Sequence, residues 1–207
     1  MEKRKLKFTS SWDDGHALDR KLIPLLDEFK IPATFYLPTT VCQLTPEEIL
    51  DMSKRFEIGG HGYSHMQDMK RLAFDELEAE IVDNKEWLEG IIGRPITKFC
   101  YPRGRYNDTT ILALKKAGYK EARTTLVGYA LAPLDPFRTR TTVHVADRSE
   151  YEGKHWLDVA KKHVELICDS EDLTFHLWGH SKEIEENNNW VELRNFFEWL
   201  TTNFDLI

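Results

Sequence analysis

Four short polar clusters hold the residues of this chain best suited to chemistry: "WDDGH" (12–16), "HGYSH" (61–65), "YPRGRYN" (101–107) and "HLWGH" (176–180). Side-by-side carboxylates such as Asp13 and Asp14 repel each other, and a bound cation relieves that repulsion. In an extended strand, neighbours point to opposite sides, so the two acids can do different jobs. One can hold a metal while the other remains a free base beside activated water, which together make a hydrolytic nucleophile at neutral pH. His61 and His65 are four apart, which on a helical turn puts both on one face. Two imidazoles and a carboxylate form a common catalytic zinc set with a fourth position open to water. Taken singly, each cluster also has a plainer reading. Asp-Gly is a strong turn dipeptide, and the two histidines suit surface or capping positions. His176 and His180 are also four apart, with Glu183 close behind, and form a rival metal pair.

These clusters need a frame that brings them together. Strand-like runs alternate with helical patterns through most of the chain. "LKFTSSW", "ATFYLP", "FEIGG", "ITKFCYP" and "LTFHLWG" read as strands, and "EARTTLV" and "RTRTTVHV" as two further candidates. Between them, "ALDRKLIPLLDEFK" spaces Leu18, Leu22, Leu25, Leu26 and Phe29 as on one helix face. "TPEEILDMSKRF" carries Thr45 as N-cap and Pro46 at the first helical position. "EIEENNNW" (183–190) reads as a polar loop before the last helix. Alternation of this kind predicts a parallel sheet with helices outside, a single α/β domain over residues 1–207. Each polar cluster follows or ends a predicted strand. Parallel strands would carry all four to one rim, where such folds gather their catalytic groups.

Composition narrows the function. The chain has 207 residues, 41% apolar and 30% charged, which suits one soluble domain with a real core. A net charge of -7 argues against nucleic acid or an anionic membrane as partner. No apolar stretch of signal-peptide or membrane-spanning length is present, which sets a cytoplasmic expectation. Cys42, Cys100 and Cys168 are odd in number and widely spaced, as reduced thiols would be.

In order and spacing, "SWDDGH", "HGYSH", "YPRGRYN" and "LTFHLWGH" resemble the motifs of the polysaccharide deacetylases, the chitooligosaccharide-deacetylase-like metal-dependent hydrolases. The resemblance spans about residues 8–180 and implies a distorted seven-stranded β/α barrel. It implies Asp13 as general base, Asp14, His61 and His65 as metal ligands, and His176 as the acid that protonates the leaving amine. The loop at Tyr101, Arg103 and Gly104 would supply a backbone N–H to the oxyanion. The full motif order favours His61 and His65 over the rival pair and leaves His180 a supporting role. The implied reaction is removal of an N-acetyl or other N-acyl group from an amino sugar or glycan, by attack of water on the metal. Zinc is the expected ion, with cobalt, nickel or manganese able to serve. The partner is then an N-acylated sugar or a related small molecule, and no oligomeric state is implied.

Two departures leave alternatives open. The arginine that opens the family's third motif and holds the base is replaced by Cys100, which cannot make a forked charged hydrogen bond. Arg138 or Arg140 is the candidate substitute. The family's Asp-Trp motif has no clear match between residues 125 and 170, and Asp147 is the candidate partner for the acid. Trp178 suits the wall of an acyl pocket and equally the core. His144, His155 and His163 show no partner in the sequence. An amidohydrolase or deformylase acting on a small amide is one alternative function. A catalytically weak metal- or glycan-binding protein on the same fold is another.

Overall fold

The computed structural model describes residues 3–131 and 134–207. In chain order the elements are β1 (Arg4–Leu6), β2 (Phe8–Asp13), α1 (Asp19–Phe29), β3 (Ala33–Leu37), α2 (Pro46–Met52), β4 (Glu57–Gly60), α3 (Phe74–Ile92) and β5 (Lys98–Cys100). There follow α4 (Asp108–Lys116), β6 (Glu121–Arg123), β7 (Val143–His144), α5 (Trp156–Ile167), β8 (Phe175–Gly179), α6 (Ser181–Glu186), α7 (Trp190–Asn203) and β9 (Phe204–Leu206). Seven strands form one parallel sheet in the order β6-β5-β4-β3-β2-β8-β7. β1 and β9 pair separately, in parallel. The sheet curls into a distorted β/α barrel. Thr139 links its two edges: its N–H donates to Ala122 O on β6 at 3.0 Å, and four residues later the chain pairs with β8. The strand expected over 138–145 is therefore only Val143–His144, because its first half bonds to β6 rather than continuing along β8.

Alternation along each strand sorts the side chains. Outward positions are apolar: Phe8, Trp12, Phe35, Leu37, Phe99, Phe175 and Leu177 are all buried beneath the helices. Helix α1 packs through Leu22, Leu25 and Leu26, as its spacing predicts. At α2, Thr45 accepts from the Glu48 N–H while the Glu48 carboxylate takes the Thr45 N–H, a complete capping box. The inward positions are polar: Thr9, Ser11 and Asp13 on β2 face His176 and Trp178 on β8, with Thr9 opposite His176 and Ser11 opposite Trp178. The polar segment read as a loop is partly helical, because buried Ile184 anchors α6 against the fold. Among the described residues, no helix is long and apolar enough to cross a membrane.

The outer layer should dominate stability. Phe175 is fully buried, stacked on Phe8 at 5.7 Å and packed on Phe196 at 6.2 Å. Phe175→Ala is expected to lose about 3–5 kcal/mol in urea unfolding. A loss below about 1 kcal/mol would show that the outer face is not the main core.

Candidate metal centre and catalytic rim

The rim is built where β2, β4, β5 and β8 end. Asp13 is the last residue of β2. Asp14 does not continue the strand: its φ of 79 puts it in the left-handed region. The two acids are thus separated by a backbone turn, not by strand alternation. Gly15 holds the turn, with a φ of +60 and a position where a Cβ would come within 2.6 Å of Cys42 Sγ. His61 follows β4, and His65 lies in a loop with φ 57 rather than on a helical turn. The loop brings the two rings to 4.9 Å between centroids. Among the described residues, Asp14, His65 and Arg103 are three of seven non-glycine residues with positive φ, a costly conformation that clusters at functional sites.

Asp14 Oδ1 lies 3.4 Å from His61 Nε2 and 3.3 Å from His65 Nε2. A tetrahedral ion with ligands about 2.0–2.1 Å away separates them by about 3.3–3.4 Å. Asp14 Oδ1 is buried with no hydrogen-bond partner among the described residues, as a ligand atom would be. His61 Nδ1 lies 2.8 Å from the Cys100 carbonyl, which makes Nδ1 the donor and leaves the Nε2 lone pair for an ion. These three residues fit a divalent metal. Burial pushes the Asp14 carboxyl up, but His61, His180 and His65 together hold it below the usual range.

Helix α3 supports the histidine loop from its buried face. Asn84 accepts the His61 N–H at 3.0 Å and donates to Leu37 O and Thr39 Oγ1. Glu80, one turn earlier, accepts from the Ser64 N–H at 2.7 Å and the Met66 N–H at 3.3 Å. Neither residue was singled out above. Their signal was two polar residues four apart on a face otherwise built from Leu77, Ile81 and Leu88.

Asp13 is held by Arg123, at the end of β6. The guanidinium nitrogen Nη2 reaches both carboxylate oxygens, and the pair is sealed from solvent, with Arg123 1% and Asp13 2% exposed. Burial alone would raise the Asp13 carboxyl; Arg123, with His61 and His180, lowers it instead. Cys100 is opposite Arg123 in register, and its Sγ lies 3.6 Å from Asp13 Oδ2. The arginine is therefore supplied one strand later than the motif predicts. Neither Arg138 nor Arg140 takes the part. Arg138 pairs with Asp108 and Asp135 on the surface, and Arg140 stacks on Tyr129 at 4.2 Å. Trp178 does not line the rim as an open pocket wall; it is buried, with the Arg123 guanidinium 4.6 Å from its ring centroid.

His176 is not at the rim. It pairs in register with Thr9, four residues below Asp13, and its Nε2 meets Ser11 Oγ at 2.8 Å. Burial, with Arg123 nearby, drives its pKa down to about 3, so it carries no proton to give near neutrality. His180, past the end of β8, is where His176 was expected. Its Nε2 lies 3.9 Å from an oxygen of each of Asp13 and Asp14. Its Nδ1 lies 2.5 Å from Glu183, one turn along α6. The same carboxylate oxygen is 3.0 Å from His144 Nε2, so His144, read above as partnerless, belongs to this cluster. Burial lowers the His180 pKa, but Glu183 and Asp13 outweigh it and raise the ring above its ordinary value. Asp147 has no part here: it accepts from the Trp156 N–H at 2.7 Å and caps α5.

The third motif forms a tight turn against Thr125. Gly104 has a φ of +66, and a Cβ there would fall 2.2 Å from Thr125 Oγ1. The Tyr101 N–H donates to Arg123 O and the Gly104 N–H to Tyr101 O. Among the described residues only the Arg103 N–H of these three has no backbone acceptor, so it is a free donor at this turn. Asp19, at the start of α1, is a further residue the sequence did not flag. Burial, with Asp14 and Asp13 nearby, pushes its carboxyl up to about 7.

A family model described as polysaccharide deacetylase matches residues 2–122. YxkH of Bacillus subtilis, a provisionally named polysaccharide deacetylase, is 27% identical over 126 residues, which cover 58% of this chain and 45% of YxkH. The chain thus matches a little under half the length of that curated relative. Among solved structures, the peptidoglycan deacetylase PdaC of Bacillus subtilis superposes with a TM-score of 0.68 at 21% identity, covering 98% of this chain and 87% of that one. BA3943 of Bacillus anthracis, described as a CE4 family pseudoenzyme, gives 0.63 at 14% identity, covering 96% and 63%. At these identities the two structures speak for the fold alone.

Arg123→Gln is expected to lose about 3–5 kcal/mol in urea unfolding, because it strands a buried carboxylate. Asp13→Asn in the same chain should recover part of that loss, and strict additivity would rule out the coupling. The raised Asp19 pKa has a defined sign: its contribution to stability is full below the ordinary carboxyl range and is lost as pH rises through about 7. In chelator-treated protein, Asp19→Asn should raise the melting temperature relative to wild type at pH 8 and give no such gain at pH 4. An equal difference at both pH values would contradict this.

Proposed function

The chain belongs to the polysaccharide deacetylase family, and from that premise we propose that it is a metal-dependent deacetylase removing an N-acetyl group from an amino sugar. The observation that carries the proposal is the convergence of three groups at one rim. They are a metal set of Asp14, His61 and His65, a base Asp13 clamped by Arg123, and a proton donor His180 within 3.9 Å of both acids. A divalent ion in that set, zinc by donor type, would supply Lewis-acid polarisation and acidify water. Asp13 accepts the proton of the attacking water. Arg123 and Cys100 fix its carboxylate so that it reaches the substrate in one orientation. The Arg103 N–H donates to the oxyanion that develops at the acyl carbonyl oxygen. His180 Nε2 protonates the departing amine, while Glu183, itself contacted by His144, holds the opposite edge of the ring. In this reading His180 takes the acid role first expected of His176, and Glu183 the part of the missing aspartate.

The second reading, a catalytically weak binding protein, draws support from Cys100 at the position where the family motif has an arginine. Arg123 speaks against it, since it restores the contact that Cys100 cannot make.

The test is acetate release from N-acetylglucosamine oligomers by zinc-loaded protein. Asp13→Asn and His180→Ala should each lose about 10²–10⁴-fold in kcat, the usual contribution of a general base or acid, with metal content retained. His176→Asn should lose less than tenfold. Full activity in His180→Ala, with loss in His176→Asn, would return the acid role to His176. Metal binding without acetate release, together with turnover of formyl or ureide substrates, would move the substrate to the small-amide class.

A further inference from the structure

The end of the barrel opposite the rim holds a second polar cavity, of about 180 Å³. His176 forms part of its wall, with Lys98, Glu121, Tyr36 and Arg123. It shares Thr9, Glu121, Thr139 and His176 with a wider vestibule of about 340 Å³, where Arg140 and Tyr129 stand. The two residues of the sequence reading that the rim does not use, His176 and Arg140, therefore meet here.

Such a cavity is unusual in composition. Barrel interiors are commonly filled by branched apolar side chains. This one is lined by two cationic groups, Lys98 and Arg123, and one carboxylate, Glu121, and Arg140 stands in the adjoining vestibule. Lys98 Nζ lies 3.2 Å from Glu121 Oε1, so that pair is neutral overall. Arg123 is neutralised from the rim side by Asp13. Arg140 pairs with no carboxylate among the described residues and keeps its charge at the mouth, stacked on Tyr129. His176 spends Nε2 on Ser11 and keeps Nδ1 for another partner. The hydroxyls of Thr9, Thr34 and Tyr36 make no hydrogen bond to the described protein atoms. The two connected spaces thus offer one uncompensated cation at the mouth and several short polar groups within.

We propose that this cavity is a binding site for a small carboxylate, entering past Arg140 and seated against His176 and the threonine hydroxyls. Its oxygens would accept from Arg140 and from the hydroxyls, and its short alkyl end would lie along Ala122 and the threonine methyls. Arg123 forms both the inner wall of this cavity and the clamp on Asp13, so a ligand here would share a residue with the rim without touching the metal set. The proposal does not depend on which substrate the rim accepts.

The test uses the full chain loaded with one equivalent of zinc, titrated with sodium acetate at constant ionic strength. The nitrogen and carbon-bound proton resonances of the His176 ring report occupancy. A saturable shift is expected. Arg140→Gln should weaken it about tenfold, the loss of one charge-assisted hydrogen bond. Asp14→Asn, which disables the metal set, should leave it unchanged. No saturation at His176, an equal response to sodium chloride or sodium phosphate, or disappearance of the effect in Asp14→Asn would each overturn the proposal.

Discussion

Two charges buried against each other, Asp13 and Arg123, set the terms for the rest of the barrel. They come from β2 and β6, strands that are four places apart in the sheet and meet only because the sheet curls. Taking either ion out of water alone costs several kcal/mol, and their attraction offsets this only with good geometry and further contacts. The structure provides these. The guanidinium reaches both carboxylate oxygens, and it lies 4.6 Å from the Trp178 ring centroid and 5.2 Å from that of Tyr36. Cation–π contacts of this kind are strongest where water is excluded. A barrel that closes around an ion pair must also keep its interior polar, which accounts for Ser11, His176 and Lys98 where branched apolar residues are usual.

The pair also separates the two ends of the molecule. On the rim side, Asp13 is oriented toward His180 and the Asp14, His61 and His65 set. On the other side, Arg123 closes the floor of a polar cavity. The rim side rests on backbone that ordinary residues avoid, with Asp14, His65 and Arg103 in the left-handed region. Such positions cost about 1–3 kcal/mol each and persist only when the surroundings over-determine them. Here Asn84, Glu80 and the Gly15 turn do so, and they tie the histidine loop to the outer helix layer.

Cys100 and Arg123 show how a site can keep a contact while moving its source. The two residues face each other across β5 and β6, so an arginine on either strand points to the same interior volume. The His180 end of the rim shows the same displacement. Glu183, three residues after His180 on α6, takes the edge of the ring that a distant aspartate would otherwise hold, and His144 joins through the same oxygen.

Sequence alone was enough for the alternation of strands and helices, the parallel sheet and the convergence of Asp13, Asp14, His61 and His65, because periodicity and motif spacing are local properties of a chain. The N-cap at Thr45 and the buried face of α1 were legible for the same reason. It could not separate His176 from His180. Both lie in one five-residue motif at the end of a strand, and only the register with β2 shows that one sits inside the barrel and the other on its rim. Nor could it find Arg123 or His144 as partners, since each contact joins elements far apart in the chain. The curl of the sheet decided those pairings: which side chains share the interior is set by strand order and register, and neither is written in the spacing of any single segment.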